Sequence, residues 1–209
     1  MARLERVEGN LYAFRFGDPI SQNRGSIIEA ELVFQQGMAL EDQGDVEGAL
    51  ALYRRVIALN PAAAGAWLNL GTIEYCRRNF AVAEDYYRKA VAIDPDFPLA
   101  HFNLGNLFDE MGRSFEQTVA CYEKALELKP DYADAHFNIA LFFERRGEDL
   151  QAINHWRAYL KCCGTGSNDQ WCVIAREQLK RLLEKTIIKK PTSGVSETGS
   201  SDVGEPQAG

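Results

Sequence analysis

Apolar residues recur every three or four positions through most of this chain, in short stretches that polar turns interrupt. The pattern predicts paired helices at 26–42 and 46–59, 64–77 and 80–93, 98–111 and 115–128, and 132–146 and 149–161. Ser26 with Glu29 three residues on matches a capping box and marks the first start. Gly44, Gly112 and Gly147 fall in the turns within pairs, where a left-handed conformation costs glycine little; Asn79 stands near that place in the second pair. The segment Gly164-Thr165-Gly166-Ser167-Asn168 breaks the pattern. Trp171, Ile174, Ala175, Leu179, Leu182 and Leu183 then resume it to about Lys190, which predicts a ninth amphipathic helix. Ahead of the helices the period changes. Tyr12, Phe14 and Phe16 alternate with Ala13 and Arg15, and Glu8-Gly9-Asn10 supplies a turn, so residues 4–16 predict a short β-hairpin-like extension. Residues 191–209 carry almost nothing to bury and predict a disordered tail.

The helical pairs repeat one another. Pro61, Pro95 and Pro130 are spaced 34 and 35 residues apart, and Gly37, Gly71 and Gly105 recur every 34. Tyr53, Tyr87 and Tyr122 recur in the second helices, each followed three residues later by Val56, Ala90 or Ala125. The fourth copy has Ala140 in the glycine slot, then Trp156 and Tyr159, and no closing proline. The extra residue of the third copy is placed near Ser114, in a turn, since an insertion inside a helix would turn its buried face away. This pattern resembles the tetratricopeptide repeat, over about 30–164, and to about 188 with the last helix. The second copy matches best, through Trp67, Leu70, Gly71, Ala83, Tyr87, Ala90 and Pro95. The resemblance implies an all-α superhelical solenoid of four helical pairs plus a C-terminal capping helix. The expected division is 1–25 extension, 26–164 repeats, 165–190 cap and 191–209 tail. A narrower resemblance lies in His155-Trp156-Arg157-Ala158-Tyr159-Leu160, Trp171 and Ile174 to Leu179. These are similar to the last repeat and cap of bacterial proteins, several of them fused behind a MerR-type DNA-binding domain. Residues 1–25 leave no room for such a domain, so DNA binding does not carry over.

The formal charge of −7 and pI of about 5.1 argue against a general nucleic-acid binder, because phosphate recognition needs a basic face. No apolar stretch after the start suggests a secretory signal, and none is long enough for a membrane span, so a soluble cytoplasmic protein is expected. The five cysteines form no regular framework and read as reduced thiols. Cys162, Cys163 and Cys172 cluster near one candidate ligand, His155, without the paired spacing of a zinc site, so neither metal nor cofactor is expected. His101 and His136 occupy the slot of Trp67 and read as packing residues. No nucleophile-base constellation and no phosphate loop can be drawn, so no catalytic residue is assigned.

In the family this chain resembles, the first helix of each pair lines the concave face. Phe34, Leu68, Phe102 and Phe137 occupy equivalent positions there, as do Gln35, Asn69, Asn103 and Asn138. The amide row resembles the asparagine ladder of O-linked N-acetylglucosamine transferase repeats, which grips peptide backbone. An amide offers both donor and acceptor, so such a row can pair with an extended peptide of any sequence. The competing reading is local helix-helix hydrogen bonding for the amides and burial between units for the aromatics. Glu41, Asp42, Asp109, Glu110 and Glu144 form an acidic rim, with Glu31 and Asp134 at the other end of the groove. A partner held there should be basic or amide-rich. Phe34, Met38, Leu99 and Asn103 stand where chaperone-binding repeats carry their carboxylate clamp, so acidic chaperone tails are not expected. The sequence therefore predicts a non-enzymatic adaptor that binds a peptide or protein segment in its groove. The alternative is a regulatory or accessory subunit docking through the extension or through a basic cap face of Arg176, Lys180, Arg181, Lys185, Lys189 and Lys190.

Overall fold

A computed structural model describes residues 24–164 and 169–188; the predicted hairpin and tail lie outside the described residues. Every element among the described residues is an α-helix: α1 (Arg24–Asp42), α2 (Val46–Leu59), α3 (Ala64–Cys76), α4 (Phe80–Ile93), α5 (Pro98–Glu110), α6 (Phe115–Leu128), α7 (Ala133–Arg145), α8 (Asp149–Cys162) and α9 (Gln170–Ile188). The periodicity locates each of them to within a residue or two. The first start is the exception. Ser26 lies inside α1, which already includes Arg24 and Gly25, so it is not an N-cap. A Ser-x-x-Glu pair marks a helix start only where the chain ahead of it is not helical. True caps are made by Asp45, whose carboxylate accepts from Gly48 N at 2.9 Å, and by Ser114, whose hydroxyl accepts from Gln117 N at 3.2 Å.

The turns carry the expected left-handed residues at Gly44, Gly112 and Gly147, with φ of 82°, 63° and 76°. In the second pair that role falls to Arg78, at φ 63°, and not to Asn79. Asn79 instead precedes α4 at φ −82°, and its amide donates to Glu74 Oε2 at 2.7 Å. The additional residue of the third unit lies in the α5–α6 turn, next to Ser114.

Helices pack as the hairpins α1–α2, α3–α4, α5–α6 and α7–α8, each hairpin rests on the next, and α9 closes the last. The odd helices also touch one another, α3 with α5 and α5 with α7, so they form a continuous inner layer behind which the even helices fan out. Such units stabilise one another only by stacking. Within each hairpin the fit depends on one missing Cβ. A Cβ on Gly37, Gly71 or Gly105 would stand 2.7, 2.6 and 2.7 Å from the ring of Tyr53, Tyr87 or Tyr122. Glycine therefore lets each buried ring lie flat across the inner helix. In the fourth unit Ala140 accompanies a larger indole, Trp156, and both are fully buried.

The slot of Trp67 has a second use beyond packing. Trp67 Nε1 donates to the Pro61 carbonyl at 2.9 Å; His101 Nε2 and His136 Nε2 meet the Pro95 and Pro130 carbonyls at 2.8 and 3.0 Å. A carbonyl can only accept, so both histidines carry their proton on Nε2. Each ring ties an inner helix to the loop that enters it.

Candidate peptide groove

The inner layer places the predicted rows differently from one another. Phe34, Leu68 and Phe102 are buried, at 1, 1 and 6 % exposure. They belong to the seams between hairpins and offer no surface to a ligand, which corrects the predicted apolar row. Phe34 packs on Tyr53, and Phe102 on Tyr122 and Tyr132. Phe137 is half-buried, enclosed edge-on by Trp156, Tyr159 and Trp171 at 5.1 to 5.4 Å. The amides one residue further on are half-buried, except Gln35, which is exposed and donates to Glu31 Oε1 at 2.9 Å.

The asparagines form a lattice that joins neighbouring units. Asn103 Nδ2 donates to Thr72 Oγ1 at 3.4 Å, and Asn138 Nδ2 donates to Asn106 Oδ1 at 3.2 Å. The same two acceptors take the tyrosine hydroxyls of their own units: Tyr87 reaches Thr72 at 3.4 Å and Tyr122 reaches Asn106 at 2.9 Å. Thr72 donates its own proton to the Leu68 carbonyl at 3.1 Å. In the first unit, where Met38 stands in the Thr72 slot, Tyr53 donates to Glu41 Oε2 at 2.6 Å and the Asn69 amide reaches the Tyr53 hydroxyl. Burial raises the pKa of all three tyrosines, so their hydroxyls remain protonated donors. Local hydrogen bonding therefore uses one N–H of Asn103 and of Asn138. An amide has two N–H groups and a carbonyl, so each keeps a donor and an acceptor for a second partner. Thr72, Asn106 and the three hydroxyls were missed in the sequence. Their signal is the nearly constant separation between each glycine and its tyrosine, 16, 16 and 17 residues, which lays each ring against its glycine and its hydroxyl near the next residue of the inner helix.

The acidic rim is largely matched within the protein. Asp109 pairs with Arg145 and Glu144 with Arg181, in each case across one unit, and Glu110 lies 3.6 Å from Arg78. Glu41 accepts from Tyr53, leaving Asp42 as the exposed rim carboxylate at the N-terminal end. The cap is less basic outwardly than its sequence suggests. Arg181 and Lys185 turn to Glu144 and Asp149, the latter at 2.7 Å, and Lys180 lies 4.0 Å from Glu184.

Cys76 is exposed on the inner helix α3, its thiol pKa raised by burial of the sulfur and then by Glu41. Cys163 is pushed up to about 11 by burial and by the neighbouring Cys172, and Cys121 to about 11 by burial. Such thiols are poor nucleophiles near neutrality. His155 is not beside a sulfur cluster; it stacks on Phe143 and meets His136 Nδ1 through its own Nδ1 at 3.1 Å. Among the described residues no group of three His, Cys, Asp or Glu is placed to hold a metal ion, and no helix is long and apolar enough to cross a membrane.

Models of the tetratricopeptide repeat match residues 34–98 and, in two further segments, 85–112 and 114–147. The chain is similar to human protein O-mannosyl-transferase TMTC1, at 35% identity over 80 residues, which is 38% of this chain and 9% of that protein. It is also similar to human tetratricopeptide repeat protein 6, at 36% over 67 residues, covering 32% of this chain and 13% of that one. The chain thus spans only a small part of these relatives' length. Among solved structures it superposes on pilF of Pseudomonas aeruginosa with a TM-score of 0.67 at 21% identity, covering 79% of this chain and 72% of that one. YrrB, described as a TPR protein with an unusual peptide-binding site, gives 0.60 at 16%, covering 80% and 86%. An O-GlcNAc transferase of Thermobaculum terrenum gives 0.59 at 26%, covering 66% and 28%.

Proposed function

We propose that this chain, a member of the tetratricopeptide-repeat family over residues 34–147, is a non-enzymatic binding module that holds an extended peptide segment along Asn69, Asn103 and Asn138. The observation that carries the reading is the amide lattice. Its tyrosine, threonine and asparagine partners fix each Asn side chain in place, and the remaining amide donor and acceptor of Asn103 and Asn138 are held ready. Groups ordered before binding cost less entropy to use. Because an amide pairs with backbone, the register of the peptide is set by its main chain and its side chains are read weakly. The partner is basic or amide-rich at the end that meets Asp42, since the other rim carboxylates are already engaged. The similarity to an O-GlcNAc transferase supports the reading only over that protein's repeat-like part, 28% of its length. No transferase chemistry is carried over.

The test starts from peptides selected on the immobilised protein from a random peptide display library. Isothermal titration then compares wild type with Asn69→Ala/Asn103→Ala. Each hydrogen bond contributes about 0.5–1.5 kcal/mol, so losing two should weaken binding roughly five- to a hundred-fold if the effects add. Far-ultraviolet melting of the same variant controls for the lattice bond to Thr72. Undiminished affinity in a folded double variant would place the binding site elsewhere.

A further inference from the structure

Two thiols lie together where the cap joins the last hairpin. Cys163 closes α8, and Cys172 stands in the first turn of α9. Both pack in the cluster of Trp156 and Tyr159, Cys172 at 1 % exposure and Cys163 half-buried. The two side chains hydrogen-bond to each other, and Tyr159 is a second partner of Cys163. The other three cysteines stand apart from this contact. Cys76 belongs to α3 and Cys121 to α6, while Cys162 is exposed near Asp131 of the α6–α7 turn.

The placement suits a covalent link. Eight residues separate the two cysteines, enough for the chain to turn from one helix into the next. A disulfide holds its sulfurs about 2 Å apart, and thiols already in contact need only a small side-chain movement to reach that separation. The link would also fall where it matters to the cap. Arg181 and Lys185 tie the C-terminal half of α9 to Glu144 and Asp149. The first turn of α9 instead carries Trp171, whose ring stands edge-on to Phe137 of α7 at 5.4 Å. A bond at Cys172 would fasten this turn to the end of α8. Terminal units of a solenoid have a neighbour on one side only, so local opening begins there, and a cross-link at the cap opposes it.

We propose that Cys163 and Cys172 form an intramolecular disulfide on oxidation, locking the cap helix onto the last repeat. The oxidant is a low-molecular-weight disulfide of the glutathione type. Cys163 is the first to react, because Cys172 is buried and Cys163 is not. The Cys163 thiol loses its proton, its sulfur attacks one sulfur of the small disulfide, and one small thiolate leaves. Cys172 then loses its proton and attacks Cys163 Sγ of the mixed disulfide, which expels the second small thiolate. The protein gives up two electrons and two protons, and the small disulfide departs as two thiols. Only the first step needs access from solvent, so burial of Cys172 is no obstacle. It shields the finished bond from reductant.

The full 209-residue chain is equilibrated in glutathione buffers that run from reduced to mostly oxidised. The buffers are held at about pH 8.5, because Cys163 reacts through its thiolate and its pKa is pushed up to about 11. After acid quenching, the chain is unfolded and labelled with a maleimide, and its intact mass gives the number of thiols. The count should fall from five to three as the buffer becomes oxidising. Cleavage before Asp169 separates the two cysteines in sequence, so the link should appear as two peptides joined until reduction. Cys162→Ser should still lose two thiols, and Cys163→Ser and Cys172→Ser should lose none. Oxidised wild type should melt roughly 5 °C above its own reduced form, and Cys163→Ser should melt alike in both buffers. Each variant is compared with itself, so any cost of the substitution cancels. Five thiols in the most oxidising buffer, a glutathione adduct that remains on Cys163, or a bridge through Cys162 overturns the proposal. An oxidised form that melts with the reduced one overturns it too, since the bond would then not hold the cap.

Discussion

Replacing Gly71 by alanine adds one methyl group at the closest approach inside the second hairpin. Its Cβ would stand 2.6 Å from both Cδ1 and Cε1 of Tyr87, where ordinary contact begins at 3.4 Å. The overlap is close to 1 Å on two atoms of a ring that is 2 % exposed, so the ring cannot swing into solvent. Either the hairpin opens or Tyr87 tilts and its hydroxyl leaves Thr72. Overpacking of this kind costs about 1–3 kcal/mol. Against it stands the helix preference for alanine over glycine, about 1 kcal/mol. The net expectation is a loss of up to about 2 kcal/mol, read from the midpoint of urea unfolding followed by far-ultraviolet circular dichroism. The decisive comparison uses Tyr87→Ala as background. There the clash partner is gone, so Gly71→Ala should become stabilising by up to about 1 kcal/mol through helix preference alone. Equal effects in the two backgrounds, or a more stable single variant, would refute the packing argument.

Three further outcomes can be measured. Burial, and then His136, push the His155 pKa down to about 4; since the unfolded chain takes the proton near 6.5, this part of the stability is full above pH 6.5 and is lost as pH falls towards 4. The melting temperature of His155→Gln should therefore fall less over that window than wild type, and parallel curves would refute the assignment. Arg78→Gly keeps the left-handed turn, relieves a steric cost of about 1–2 kcal/mol that a Cβ imposes there, and gives up the exposed 3.6 Å pair with Glu110; a raised melting temperature is expected, and a lowered one would show that the ion pair dominates. Truncation after Cys163 removes α9, uncovers Trp156 and Tyr159 and leaves Glu144 and Asp149 without Arg181 and Lys185; the fragment should self-associate, and a monomer with the parent's melting behaviour would mean that α9 is not a cap.

Helix positions were legible because the repeat supplies several independent copies of each boundary. The extra residue at Ser114 was found by the same comparison. What the repeat conveys is equivalence, not direction. It groups Phe34, Leu68 and Phe102 with Phe137, but a helix advances about 100° per residue, and one step decides between the seam and the groove. Phe34, Leu68 and Phe102 fall on the buried side of that step, and Asn69, Asn103 and Asn138 are half-buried. The matching of the acidic rim was hidden for another reason. Asp109 to Arg145 and Glu144 to Arg181 are separated by slightly more than one repeat, so neither pair appears within a single helix. Arg78 escaped notice because its left-handed backbone is imposed by the hairpin on a residue with no preference for it, whereas Asn79 beside it has the tolerance and does not use it.

The tyrosine that passes over each glycine also restricts how the groove can be rebuilt. Tyr87 and Tyr122 are rooted in the outer helices, yet their hydroxyls end on Thr72 and Asn106 at the inner surface. Anyone redesigning this groove for a new ligand would treat those two positions as open sites, since they face the cavity. They are not open. Thr72→Val or Asn106→Leu would strand a buried phenol without an acceptor and release the amide of the following unit from its seat. Retargeting the surface therefore requires paired changes, Thr72 with Tyr87→Phe or Asn106 with Tyr122→Phe. The fourth unit, with Leu141 in the acceptor slot, carries no phenol there; Trp156 stands in place of the tyrosine, and its buried indole nitrogen is left without a partner.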